Sequence, residues 1–439
     1  MSTKVAKFGG SSVADDIQIR KIKSIVSADP ARRFVVVSAP GKRYSTDNKI
    51  TDLLYLCKEH VDKHVTYEQV LQVIHDRYIA IESNLEVDAG IAKEFTIISQ
   101  NLEEGTTSDY IASRGEYLNA KIIAAFLGFD FIDAATFVKF DARGRFLFEE
   151  TNDALAIELA KHENGVIPGF YGTTPDGKIK TFTRGGSDIT GALVARATDA
   201  EVYENWTDVS GFLMADPRIV DNPKGIDEIT YKELRELSYM GASVLHENAV
   251  YPARLAGIPI NIRNTNKPED KGTIIVDEGQ AKEGGIITGI AGNKDYTVIA
   301  FYKNMMSTEI GFIRRVLSIL EEYQVPVEHM PSGIDTLSVV IASKYLEDKL
   351  SDILEDFERK LAPDTIDVIE NVSLIATVGR GMASKHGVAS KLFKALFDAD
   401  INIRMIDQGS SEINIIVGVN STDFGQAIQA IYAAFAATN

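Results

Sequence analysis

The 439-residue chain carries 46 Lys and Arg against 63 Asp and Glu, a formal net charge of −17, with 45% apolar and 25% charged residues. That composition belongs to a folded globular protein of about three domains, and its acidity disfavours nucleic acid or an anionic membrane as partner, since both need clustered cations. The single cysteine, Cys57, leaves no intrachain disulfide and no cysteine zinc site, and apolar runs such as 122–129 fall short of the ~18 residues of a membrane span, so a cytoplasmic protein is expected.

In chain order, 5–8 reads as a strand that passes through Gly9-Gly10 into a helix over 13–27, with Ile17, Ile22, Ile25 and Val26 on one face. Asp29-Pro30 stops that helix, and 34–37 is a continuous apolar run of the kind buried in a parallel sheet, which makes a βαβ unit. Helices follow over 49–60, 67–82 and 114–126, then strands near 129–132 and 166–170 and a turn-rich hairpin tip over 171–177. A helix over 188–198 and a strand over 201–206 continue the alternation. The pattern predicts an α/β domain reaching about residue 276, a mostly parallel sheet sandwiched by helices.

Beyond residue 280 an internal repeat runs at a constant offset of 76 residues. Gly311 matches Gly387, Val325-Pro326-Val327 matches Ile401-Asn402-Ile403, Gly333 matches Gly409, and Leu337 to Val340 matches Ile413 to Ile416. Each copy reads strand, helix, strand, strand, helix, the ferredoxin-like order once one more strand is added. The first copy has that strand at 365–369. The second copy lacks one, and the apolar run 286–291 is the available donor, so the first module is expected to be inserted inside the second.

Several residues could carry chemistry. Lys7-Phe8-Gly9-Gly10-Ser11-Ser12 sits where a strand becomes a helix, and two glycines there let backbone N–H groups approach a phosphate. Thr183-Arg184-Gly185-Gly186-Ser187-Asp188 repeats that logic, with Arg184 suited to bidentate capture of an anion, while Ser187 and Asp188 also suit an N-cap and a first helical turn. Arg114-Gly115-Glu116 is read as a helix start, where Glu116 could simply compensate the dipole. The loop Trp206-Thr207-Asp208 with Asp216-Pro217-Arg218 follows a buried strand, where open α/β sheets bind ligands. The seven histidines show no metal-ligand spacing.

Together, Lys7 to Val13, Ser113 to Glu116, Thr183 to Asp188, Trp206 to Asp208, Asp216 to Arg218 and Val244-Leu245-His246 resemble the aspartokinases over essentially the whole chain. These are enzymes of the amino-acid kinase fold with two interleaved, ferredoxin-like ACT modules at the C-terminus. The resemblance implies a catalytic domain at 1–280, a first ACT module at 295–370 and a second at 284–294 plus 371–439. It implies ATP and Mg2+ as cofactors and transfer of the γ-phosphoryl group to the side-chain carboxylate of L-aspartate, opening the route to lysine, threonine and methionine. Lys7 and Asp188 would be catalytic; Thr51, Glu116, Arg184 and Ser187 would bind aspartate, Glu116 taking its ammonium and Arg184 its α-carboxylate. Lys7, Gly9, Gly10, Ser11, Thr207, Asp208 and Arg218 would hold the nucleotide. Lysine, alone or with threonine, would inhibit at Met306, Gly311, Phe312, Ile313, Glu328 and Ser332, with Glu328 holding the lysine ammonium where the second copy has Arg404. Pairing of ACT modules implies a homodimer or higher homo-oligomer. Two departures stand out: Ser243 occupies the place of a family lysine beside the phosphates, and Leu213 that of a stacking tyrosine. Another amino-acid kinase, acting on glutamate or acetylglutamate, and a catalytically silent amino-acid sensor are the alternatives.

Overall fold

The computed structural model describes residues 2–436 apart from 184, 243, 244, 246 and 283. Two units emerge, one of Met1–Phe212, Asp227–Tyr231 and Val244–Ala281, the other of Leu213–Ile226, Lys232–Ser243 and Lys282–Asn439.

In the first unit the strands are β1 (Lys4–Phe8), β2 (Arg32–Val37), β3 (Asp130–Phe131), β4 (Gly165–Pro168), the hairpin β5 (Tyr171–Thr173) and β6 (Ile179–Thr181), then β7 (Val202–Thr207), β8 (Glu228–Thr230), β9 (Ile260–Asn264) and β10 (Thr273–Val276). All but the hairpin join one sheet in the order β3-β4-β2-β1-β7-β9-β10-β8, parallel among the described residues except where β10 meets β9. From β1 the chain builds outward to β2 and β4 on one side and to β7 and β9 on the other. The switch in direction therefore falls at the C-terminal end of β1, where such sheets open a crevice.

The helices are α1 (Asp16–Ser27), α2 (Ile50–Asp62), α3 (Glu68–Asn84), α4 (Ile91–Glu103), α5 (Ser108–Leu127), α6 (Phe148–Leu159), α7 (Gly186–Ala197) and α9 (Glu247–Leu255), while α8 (Tyr231–Tyr239), which lies between them in the chain, belongs from Lys232 onward to the second unit. Alternate strand residues serve opposite faces. Ala6, Phe8, Val35, Val37 and Trp206 join one core with α1 to α5, while α7 covers the opposite face over β1, β2 and β7, flanked by α6 and α9. Cys57 is buried in the first of these cores, and desolvation pushes its thiol up to about 12. Among the described residues no helix is long and apolar enough to cross a membrane.

Three expectations need correction. Asp15 caps α1, accepting the Gln18 amide, so the helix starts at Asp16 and its phase buries Ile19 while leaving Ile17 63% exposed. Helix α5 begins at Ser108 under a Thr107 cap rather than at residue 114, which puts Glu116 in the helix interior. Helix α7 is capped by Gly185 at φ 61° with no side-chain bond, so Ser187 is not the N-cap. Helices α4, α6, α8 and α9 were not anticipated.

The second unit contains β11 (Gly289–Tyr302), β12 (Thr336–Ala342), β13 (Thr365–Val378), β14 (Met405–Asp407) and β15 (Asn414–Asn420), in the sheet order β12-β11-β13-β15-β14, with α10 (Phe312–Glu322), α11 (Leu350–Leu361), α12 (Val388–Asp398) and α13 (Phe424–Ala436). Strands β11 and β13 pair antiparallel along their length. The C-terminal half of β11 carries β12 and the C-terminal half of β13 carries β15, so each long strand serves both modules. The pairing is irregular between Asn293 and Val298, where Asp295 and Asn371 take φ of 68° and 58°. The second strand expected in the first copy is reduced to isolated bridges from His329 and Ser332 to β12, where the second copy has β14.

Candidate active site

Lys7 lies on β1 between Val36 of β2 and Asn205 of β7. Its side chain points to the α7 face, where its Nζ is 2.7 Å from Asp188 Oδ1 in the first turn of that helix. Asn205 Nδ2 donates to the same carboxylate oxygen at 2.8 Å, and the Tyr203 hydroxyl donates to the Asp188 carbonyl at 3.3 Å. A buried lysine is thus held by a half-buried carboxylate that has its own support. Beyond Lys7, Gly9 N donates to Trp206 O at 3.0 Å, and a Cβ on Gly9 would come within 3.6 Å of the Lys7 ammonium. Gly10 meets Gly41 so closely that a Cβ on Gly41 would fall 2.6 Å from the Gly10 carbonyl carbon. Backbone alone can occupy that contact.

Over these turns lies a cleft of about 560 Å³ whose walls include Gly10, Ser11, Gly41, Thr51, Glu116 and Asp208. Glu116 arrives from α5, the face opposite to Asp188, because Gly115 lets that helix approach Ala39, where a Cβ would meet the Ala39 methyl at 2.8 Å. Burial pushes the Glu116 carboxyl up to about 8, against the pull of backbone N–H groups at Ala39 and Glu116 and of the Lys7 and Arg114 charges. Its Oε2 is buried without a hydrogen-bond partner. An orphaned carboxylate oxygen of this kind is a ready acceptor for a cationic ligand. Arg114 turns the other way, sandwiched against Tyr110 and Tyr117 at 4.6 and 4.3 Å.

Lys7, Gly9, Gly10, Ser11, Thr51, Glu116, Asp188 and Asp208 therefore converge. Thr207 is next to them and donates to Asp208 at 3.2 Å. Ser187 is buried against Gly169, where a Cβ would overlap its side chain at 2.7 Å. Arg184 and Ser243 lie outside the described residues. Arg218 belongs to the second unit, where it is exposed and paired with Asp216 at 2.6 Å, and Leu213 in that unit is bridged to Gly225. In the first ACT copy Gly311 caps α10 at φ 81°, Met306 and Phe312 point into the module core, and Ile313 and Ser332 are exposed. Glu328 is half-buried and accepts a hydrogen bond from the Tyr239 hydroxyl. Asn205 was missed from sequence; its signal was a polar residue inside a strand with both faces buried.

Comparison with known proteins follows the same outline. The amino acid kinase family model matches residues 2–264 and an ACT domain model matches 375–435. Aspartokinase 3 of Bacillus subtilis (strain 168) is 39% identical over 98% of this chain and 98% of its own length. Lysine-sensitive aspartokinase 3 of Escherichia coli (strain K12) is 28% identical over 98% of each. The crystal structure of Clostridium acetobutylicum aspartate kinase superposes with a TM-score of 0.93 at 51% identity, covering 99% of this chain and 100% of that one. E. coli aspartokinase III in complex with aspartate and ADP matches with a TM-score of 0.72 at 26% identity, over 98% of this chain and 99% of that one. Its complex with lysine and aspartate matches at 0.76 and 26%, over 99% of each.

Proposed function

Because the chain belongs to the amino acid kinase family and, within it, to the aspartokinases, we propose that the cleft over Gly9-Gly10 is where this aspartate kinase works, transferring the γ-phosphoryl group of ATP to the side-chain carboxylate of L-aspartate. The observation that carries this assignment is the buried Glu116 carboxylate with its unpartnered oxygen, facing the same cleft as the glycine turn beside Lys7.

The attacking carboxylate, with an ordinary pKa of about 3.9, is ionised at neutral pH and needs no general base. One of its oxygens forms a bond to the γ-phosphorus while the bond to the β-γ bridging oxygen breaks. The electron pair leaves with ADP, and the product is 4-phospho-L-aspartate. The barrier is electrostatic, since two anions must meet. Lys7 supplies positive charge there, and Asp188 and Asn205 hold it in place, which spares reorganisation during transfer. The amides of Gly10 and Ser11 would face the phosphates beside the Gly9 turn, whose own amide is held by Trp206 O, with Thr207 and Asp208 toward the nucleotide; Arg218 is assigned to the nucleotide by the family resemblance alone. Glu116 takes the substrate ammonium, Arg184 its α-carboxylate, and Thr51 and Ser187 line the pocket.

Mg2+, when bound, neutralises the β- and γ-phosphate oxygens. No three His, Cys, Asp or Glu gather among the described residues, and an ion that keeps waters and phosphate oxygens needs no such cluster. The exposed Asp208 carboxylate on the cleft wall suits its water shell.

Residues 1–280 would serve catalysis and the two ACT modules, 295–370 and 284–294 plus 371–439, regulation. Lysine, alone or with threonine, would bind the first module at Glu328, beside Met306, Gly311, Phe312, Ile313 and Ser332, in a cytoplasmic homodimer or higher homo-oligomer. This is the first step of lysine, threonine and methionine synthesis. Purified protein with ATP, Mg2+ and hydroxylamine should give an acyl hydroxamate from aspartate and none from glutamate. Hydroxamate from glutamate alone, or from neither, would overturn the substrate assignment.

A further inference from the structure

Arg77 belongs to none of the motifs, yet it reaches the cleft wall from behind at Gly41. It sits on α3 within the apolar stripe of Ile74, Tyr78 and Ile81 and is 7% exposed. Its Nη1 donates to Asn48 O at 3.1 Å and lies 3.3 Å from the Asp47 carboxylate. Its Nη2 donates to Ala14 O at 3.0 Å and also to Gly41 O. Asp47 in turn accepts from Arg43 N at 3.0 Å and from Arg43 Nε and Nη2 at 2.8 and 3.1 Å. One buried guanidinium therefore joins the turn after Gly10-Ser11 to both ends of the 41–48 loop.

That loop forms one wall of the cleft through Gly41, Lys42, Tyr44 and Ser45. Its contact with the glycine turn is a backbone one, Gly41 N to Gly10 O at 2.8 Å. Nothing in the loop is regular secondary structure, so its shape rests on such bonds. Removing Arg77 would strip donors from three carbonyls and a partner from a nearly buried carboxylate, each costly to leave unmet. A loop so released would carry Lys42 away from the turn, and displacement of about 1 Å in a transfer site can cost on the order of a hundredfold.

We propose that Arg77 is a positioning residue for phosphoryl transfer: it clamps the 41–48 loop against the glycine turn and so presents Lys42 to the phosphates. This rests on the cleft being the transfer site. The test is a double-mutant cycle with Arg77→Met, Lys42→Met and the pair, together with Arg77→Lys, which keeps the charge but reaches fewer acceptors than the planar fork. Each single change should lower kcat/KM for ATP about tenfold or more, with Arg77→Lys intermediate. The pair should lose no more than Arg77→Met alone, because Lys42 is already misplaced in that variant. Losses that multiply, or a Lys42→Met enzyme with unchanged kinetics, would overturn the proposal. If Arg77→Met does not fold, the same cycle with Arg77→Lys decides. Hydrogen exchange over 39–49 separates the two assignments: it should quicken in Arg77→Lys even if Lys7→Ala and Glu116→Gln retain full activity and the cleft is the wrong site, and unchanged exchange there refutes the clamp.

Discussion

The two units place charge by opposite means. In the first, Lys7, Asp188, Asn205 and Glu116 come from four different elements and meet because the strand order reverses at β1. In the second, two copies share one backbone plan: α10 and α12 start at equivalent positions, capped by Gly311 and Gly387 at φ 81° and 83°. Beyond the bridges that replace a strand in the first copy, those copies differ in charge at the register of 328 and 404. Glu328 is half-buried with Tyr239 on it, whereas Arg404 is exposed and donates to Asn420 at 2.9 Å. A site assembled from unrelated elements is vulnerable at each of its members. In a duplicated fold, what is shared holds the structure and what differs is available for recognition.

The sharpest way to break the first arrangement is Lys7→Ala, which should lower kcat by about a hundredfold or more, since it removes a donor aimed at developing charge. Aspartate KM should move little, and near-normal turnover would exclude the role. Second in size is the asymmetry of the copies. Glu328→Ala should raise the lysine concentration for half-inhibition by about tenfold or more, while Arg404→Ala should leave it within about twofold; equal shifts, or a parent enzyme indifferent to lysine, would remove the distinction.

Glu116 allows a pH experiment. In the empty pocket it keeps its proton up to about 8, and an ammonium ligand needs the carboxylate form, so aspartate KM should rise about tenfold per pH unit below that value. Glu116→Gln should flatten the slope as well as weaken binding. The same group affects stability with a fixed sign: its folded pKa lies above its unfolded value, so the folded state binds the extra proton between the two. Stability from this group therefore declines as pH rises from the ordinary carboxylate range to about 8. Urea titrations of the Gln variant, free of ligand, should lack that decline.

Asn205→Ala should reduce kcat about three- to tenfold, the effect of losing about 1 kcal/mol of hydrogen bonding, felt indirectly through a less well held Asp188. Smallest are Gly311→Ala and Gly387→Ala, each expected to cost about 1 kcal/mol because Ala resists positive φ. Clearly unequal costs in denaturant melts would show that the two caps are not equivalent.

Local signals were the legible ones. The run at β1 and the glycines after it are written in adjacent residues, and the repeat shows as a constant offset of 76 residues, so all three were read directly. Glu116 was misplaced because the true start of α5 is marked by Thr107 and a polar first turn, Ser108-Asp109, before any apolar periodicity begins. Helix α4 buries Ile91, Phe95, Ile98 and Leu102 at helical spacing but is capped by Gly90, φ 70°, with no Ser, Thr or Asp at the cap position itself. Asn205 and Arg77 depend on partners 17 and 36 positions away, Asp188 and Gly41. Their only sequence trace is a polar group set in a buried stripe.

The long strands have a further consequence. The boundary between the ACT copies crosses β11 and β13, each of 14 residues and paired on both sides of one irregular stretch. Neither copy can melt without stripping the other of a sheet neighbour, so the pair should open as one foldon. Amides of both strands should exchange at a common rate, and proteolysis should spare both copies or neither. A truncation meant to isolate one effector module would instead leave half of each strand as an unpaired, aggregation-prone edge.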